Sequence, residues 1–182
     1  MGRLALLLSL CAGVLQAQNP KFPAMNHIRS DETFHTTKLT SAELEEIRNQ
    51  LEKTSFDFPD SWGREVRVRR ISLGSVDGLA VQGTALLCGG TGNCQTWIFR
   101  RLLGNWINLF KDQAPIASGF GFEEKMSHGI RRLVISANFS AERAEYSVYD
   151  FDGQFYKRTQ CYEALTGEPA GAKEIVKPRP CQ

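Results

Sequence analysis

The chain has 182 residues, with 22 Lys and Arg against 20 Asp and Glu and a formal net charge of +2. That balance has no basic stripe of the kind nucleic acid or an anionic membrane surface requires. The length fits one domain and is enough to bury about 70% of the unfolded surface.

Met1-Gly2-Arg3 precedes an apolar run from Leu4 to Leu15, which ends at Gln16-Ala17 before the polar Gln18-Asn19-Pro20. This order of a basic start, an apolar stretch and a small residue predicts a cleaved export signal at 1–17, with the cut after Ala17. The run falls short of the about 20 apolar residues a membrane span needs. A lipid-modified Cys11 is disfavoured, because Leu10 stands where a small residue is needed. Loss of Arg3 with the signal leaves 21 basic and 20 acidic residues in the remaining 165. No later segment is apolar for long enough to cross a bilayer.

Residues 18–38 show neither helical nor strand periodicity and are expected to form an irregular arm, with His27 and His35 in it. Thr40-Ser41-Ala42-Glu43 is a capping box, and Leu44, Ile47 and Leu51 then recur on one face. An amphipathic helix of three to four turns is predicted, stopping before Phe58-Pro59. From Arg64 the pattern turns to strands. These are Val66 to Ile71, Leu79 to Leu87, Gln95 to Leu102, Trp106 to Lys111, Ile130 to Phe139, Glu145 to Phe151 and Gln154 to Tyr162. Leu103-Gly104-Asn105 and Asp152-Gly153 read as hairpin turns. In the strand at 95–102, alternation puts Trp97 and Phe99 on one face and Ile98 and Arg100 on the other. The aromatic face is expected under the helix and the Arg100 face partly wet, so Arg100→Ala should cost under about 1 kcal/mol. Residues 39–165 form the domain, and 166–182 a Pro- and Gly-rich tail pinned at Cys181.

Outside the signal stand Cys88, Cys94, Cys161 and Cys181. In an oxidising compartment an even set reads as disulfides, with three connectivities available. Cys88 with Cys94 and Cys161 with Cys181 is the favoured pairing, because each closes a short loop of turn-forming residues. Those loops are worth roughly 2 and 3 kcal/mol by chain entropy. The spacings match no zinc-ligand pattern, and no His lies near them in sequence.

Cys88-Gly-Gly-Thr-Gly-Asn-Cys94 followed by Trp97-Ile-Phe-Arg-Arg101 and Trp106 resembles a pattern in small exported bacterial proteins of unknown function. Gly129-Ile-Arg-Arg-Leu-Val-Ile-Ser136, with Tyr149-Asp-Phe-Asp-Gly-Gln-Phe-Tyr156, resembles the strand unit of FG-GAP-like proteins. The FG-GAP unit places an Asp before its apolar strand, where this chain has Arg132, so the resemblance carries over no calcium site and no activity.

The chain lacks a nucleophile elbow, a zinc-protease helix, a phosphate loop and a dinucleotide fingerprint. His128 reads as a turn residue, and its rival role is a general base. Asp150 and Asp152 share a strand face by alternation, but a glycosidase pair or a calcium loop needs further groups that the sequence does not place beside them. Gly89, Gly90 and Gly92 suit a disulfide-closed turn better than an anion nest. Arg100, Arg131 and Arg132 are the candidate binding face for an acidic partner.

The expected fold is α+β, mainly β: one N-terminal helix packed on an antiparallel meander of about seven strands. The expected function is an exported, secreted or periplasmic, disulfide-containing, non-catalytic binding or inhibitor-like module. Its partner would be a protein or envelope component, without metal or cofactor. An extracytoplasmic hydrolase and a structural envelope protein are the alternatives.

Overall fold

The computed structural model describes residues 28–29, 38–52, 66–84, 87–111, 114–165 and 175–181. The expected signal at 1–17, nearly all of the arm and residues 166–174 of the tail lie outside the described residues.

Helix α1 (Ser41–Glu52) begins at the capping box. The Glu43 amide donates to Thr40 Oγ1 at 3.2 Å, and the Thr40 amide donates to Glu43 Oε2 at 3.1 Å. Two otherwise unpaired amides of the first turn are thereby satisfied. Ile47 and Leu51, one turn apart, are fully buried, while Glu45 and Asn49 face solvent.

Among the described residues there are eleven strands, in chain order β1 (Ile28–Arg29), β2 (Val66–Ser72), β3 (Asp77–Gly83), β4 (Cys94–Leu102), β5 (Asn105–Asn108), β6 (Ile116–Ala117), β7 (Gly119–Ser127), β8 (Ile130–Asn138), β9 (Arg143–Phe151), β10 (Tyr156–Leu165) and β11 (Ile175–Arg179). They form two antiparallel sheets. One has the order β1-β7-β8-β9-β10-β11; the other has β2-β3-β4-β5, with β6 also paired to β4. The single seven-strand sheet expected from the sequence is thus corrected to two sheets. A 12-residue helix is about 18 Å long and about 10 Å wide. Seven strands would spread over roughly 30 Å, more than one helix covers. Moreover, β4 is buried on both faces, with Trp97, Ile98 and Phe99 all inaccessible to solvent, so it needs a layer on each side.

The helix supplies one of those layers. Glu43 pairs with Arg70 and Arg101 at 3.4 and 3.3 Å, and the Trp106 amide donates to the Glu46 carboxylate. In the strand register Arg70, Leu79, Val81, Trp97, Phe99, Arg101 and Trp106 share this face. The aromatic side of β4 therefore lies under the helix, as alternation predicts. The opposite face, carrying Ala80, Ile98 and Arg100, meets the other sheet through Phe120, Phe122, Leu133, Ile135 and Phe151, all in one buried cluster.

Three of the hydrogen-bonded links between the sheets are as follows. The Arg131 amide donates to the Leu73 carbonyl at 2.7 Å and the Tyr156 amide to the Leu109 carbonyl at 2.8 Å. The third is reciprocal: Asn93 Nδ2 donates to the Asn138 carbonyl at 2.6 Å, and the Asn138 amide to Asn93 Oδ1 at 2.7 Å.

Two hairpins turn on residue pairs with positive φ at both positions, Leu103-Gly104 and His128-Gly129. That is the type I′ geometry matched to strand twist. The β9–β10 connection is longer. It runs from Asp152 to Phe155, and Asp152 Oδ1 accepts from the amides of Gln154 and Phe155. All four tyrosines, Tyr146, Tyr149, Tyr156 and Tyr162, belong to the sheet containing β8, whereas Trp97 and Trp106 belong to the sheet under the helix.

Candidate functional site

The disulfides are Cys88–Cys94 and Cys161–Cys181, the pairing inferred from loop closure. Disulfides of this kind are typical of extracytoplasmic proteins. No helix among the described residues is long and apolar enough to cross a membrane.

The three arginines marked in the sequence do not form one surface. Arg100 lies between the sheets with its guanidinium 5.1 Å above the Phe151 ring, and its buried Nε has no acceptor. Its face meets the second sheet, and Arg100 itself is half-buried, so this end of the face is partly wet as alternation predicts. Arg100→Ala is accordingly expected to lower stability by about 1–2 kcal/mol through lost stacking and stem packing. Urea melts measure this, and a loss of only a few tenths would put the side chain in solvent.

Arg131 and Arg132 are consecutive on β8 and so point to opposite faces. Arg131 donates to the carbonyls of Phe122 and Glu123 and to Glu124. Arg132 makes a bidentate pair with Asp150, at 2.8 and 3.0 Å, and reaches Glu123 at 3.2 Å.

Asp150 and Asp152 do not meet at one site. Asp150 accepts from Arg132 and from Thr159 Oγ1, while Asp152 holds its turn and pairs with Lys157 at 2.9 Å. Burial opposes ionisation of Asp150, but the hydrogen bonds from Arg132 and Thr159 outweigh it and hold its carboxyl below the usual range. His128 sits exposed in its turn with Nδ1 3.1 Å from the Phe151 carbonyl and from Ser127 Oγ. Among the described residues no group of three or more His, Cys, Asp or Glu is placed to hold a metal ion.

A concave site lies elsewhere, in a cleft of about 940 Å³ where the two sheets diverge. Its floor is the inner face of the sheet from β8 to β11. Ala137 stands opposite Glu145, Ile135 opposite Ser147, Tyr149 opposite Arg158, and Cys161 opposite Arg179. The facing wall is the segment after β5, with Phe110, Lys111, Ala114 and Pro115, and the Asn93–Asn138 clamp stands at the rim. The small side chains of Ala114, Ala137 and Ser147 leave the space between floor and wall open. Phe110 packs edge-on against Tyr149 at 5.7 Å and tilts toward Tyr156 at 6.0 Å, giving the cleft an aromatic side. Burial raises the pKa of both phenols above the usual value, so they stay neutral as lining groups.

The polar end is built around Glu145, whose side chain is 10% exposed. Arg179 pairs with it at 2.6 Å, Arg158 approaches to 4.0 Å, and Ser147 Oγ donates to it at 3.2 Å. Glu163, beside Glu145 in the register, pairs with Arg143. Arg179 Nε is buried without an acceptor. Glu145, Arg158 and Arg179 come from three strands and form no local motif. The one sequence signal for them is the Cys161–Cys181 pairing, which returns the tail to β10 and brings Arg179 with it.

No known protein family, curated protein or solved structure matches the chain.

Proposed function

We propose that this protein is a secreted or periplasmic, non-catalytic binding module whose ligand sits in the cleft between the two sheets. The observation that carries this reading is the cleft itself. It has a rigid sheet floor, an aromatic wall and a cluster of charged groups at one end, within the size range of about 300–1,000 Å³ typical of small-molecule sites. The disulfides support the extracytoplasmic assignment, and Cys161–Cys181 fixes the strand that contributes Arg179.

A hydrolase would need His128 beside a carboxylate in a cleft, or Asp150 beside another acid. His128 lies in a turn outside this cleft, and Asp150 is committed to Arg132 on the other face of the sheet. Both placements favour binding over turnover.

Native mass spectrometry of protein purified from the exported fraction tests the reading. A bound small molecule is expected, recovered chemically unchanged after incubation, and lost in an Ala137→Trp variant that fills the cleft. Amide shifts confined to residues 135–147 and 158 in the unaltered protein, on adding back the released molecule, check the same point without a substitution. No bound mass would overturn the proposal, as would cleft amides left unmoved by a released molecule, and a chemically altered ligand would favour the hydrolase.

A further inference from the structure

We propose that the Cys88–Cys94 disulfide is a redox switch for the rim of the cleft: it holds Asn93 on Asn138, and its reduction releases that clamp. What release does to a ligand rests on the binding reading above, whereas the coupling of disulfide to clamp does not.

The loop between the two cysteines meets the rest of the protein through Asn93. Gly89, Gly90, Thr91 and Gly92 are exposed, and a Cβ built at Gly90 or Gly92 would meet open space. Asn93, inside the same loop, is buried. Its side chain makes the reciprocal pair with the Asn138 backbone, and Asn138 Nδ2 reaches the Thr91 carbonyl at 3.5 Å. Thr91, Asn93 and Asn138 all line the cleft, so a loop that lets go of Asn138 changes its mouth.

One end of the loop is anchored and the other depends on the cross-link. Cys94 begins β4 and stands opposite Ala117 of β6. Cys88 belongs to no named strand, and its pairing with Cys94 is an isolated bridge. A cross-link over a separation of six residues removes most of the open conformations of the loop, which are those in which Asn93 leaves Asn138. Without it, three glycines give the backbone wide freedom against two hydrogen bonds within the loop, from Gly89 to Asn93 at 2.8 Å and from Gly92 to Gly89 at 3.0 Å. Cys161–Cys181 differs in kind, because it ties paired strands of one sheet and does not touch the clamp.

Reduction takes two electrons and two protons, and a dithiol supplies both. One of its thiolates attacks a sulfur of the pair, breaking the S–S bond as a mixed disulfide forms. Its second thiol then displaces the remaining cysteine, the reductant closes its own disulfide, and Cys88 and Cys94 are left as thiols. Linkage makes the effect reciprocal: whatever factor the disulfide adds to the clamp, loss of the clamp adds to reduction.

Hydrogen exchange on the full exported protein tests this, with dithiothreitol as the dithiol and thiol alkylation to map which pair has opened. The Asn138 amide, whose acceptor is Asn93 Oδ1, is expected to exchange at least about tenfold faster once Cys88–Cys94 is reduced, and likewise in Cys88→Ser/Cys94→Ser. The amides of Leu133 to Ile135, in the middle of β8, should keep their protection. In Asn93→Ala, the same dithiol buffer should shift the ratio of reduced to oxidised pair by a similar factor. An Asn138 amide equally protected in both redox states, protection lost through the whole of β8, an Asn93→Ala pair no more reducible than the unaltered one, or a bond that dithiothreitol leaves intact in the folded protein would each overturn the switch. None of these measurements uses a ligand, so their failure leaves the binding reading standing, and absence of a bound molecule leaves the switch standing.

Discussion

Trp97→Ala is expected to lower stability by about 3–5 kcal/mol, the range for truncating a large aromatic in a packed core. Three features of Trp97 place it there. Its side chain is fully buried, and it sits on β4, which is paired to β3 along one edge and to β5 and β6 along the other. It also belongs to the aromatic face that Ile47 and Leu51 cover from the helix. Removing the indole leaves a cavity that a doubly paired strand cannot collapse to fill. Denaturant melts give the number. A loss under 1 kcal/mol would mean that the helix does not seal this face.

Arg132→Met is expected to cost nearly as much, for a different reason. The guanidinium is 9% exposed and serves Asp150 and Glu123 together, whose side chains are 27% and 15% exposed. Deleting the cation leaves two carboxylates facing an uncharged side chain in a mostly dry site. Such a loss costs about 3–5 kcal/mol when the pair is fully buried, and the lower end applies here because Asp150 keeps some water.

The pH dependence follows from the depressed carboxyl of Asp150. A group whose folded pKa lies below its unfolded value stabilises above the unfolded pKa, near 4, and that stabilisation fades as pH falls through the folded value. The deficit of Arg132→Met should therefore be largest at neutral pH and shrink toward pH 3, as the Asp150 carboxyl of the variant takes up a proton. Replacing the pair together, with Arg132→Met and Asp150→Leu, should recover part of the loss. Urea melts of the two variants between pH 7 and 3 measure both effects. An equal deficit across that range would remove the ion pair as its cause.

Local chemistry made much of this fold legible. The capping box gave α1, alternation put Trp97 and Phe99 under it, and loop length singled out one disulfide connectivity of three. The strands that the sequence hid have specific reasons. In β7, the alternation Gly119-Phe120-Gly121-Phe122 is short and rests on glycines, which are poor strand formers, and the charged run from Glu123 to Lys125 then breaks it. β11 contains Pro178, which is tolerated on an edge strand but argues against a strand when read alone. β6 is only two residues long.

Whether β7 continued the first sheet or opened a second was not a local property. Both outcomes use the same hairpins, and the choice depends on the need to cover both faces of β4. The cleft was hidden for a related reason. Glu145, Arg158 and Arg179 look like ordinary strand charges until the register aligns them, whereas the more conspicuous Arg131-Arg132 pair is drawn into hydrogen bonds and ion pairs within its own sheet.

The separation of aromatic residue types between the sheets makes the protein its own optical reporter. Excitation energy passes from tyrosine to nearby tryptophan and not in the reverse direction. Tyr146, Tyr149, Tyr156 and Tyr162 stand in one sheet, and Trp97 and Trp106 in the other. In a Trp62→Phe background, which removes the one tryptophan outside the described residues, tyrosine-sensitised tryptophan emission therefore reports the docking of sheet against sheet. Direct tryptophan excitation reports the helix-covered layer alone. Recording both signals in one unfolding experiment separates the parting of the two layers from the melting of either.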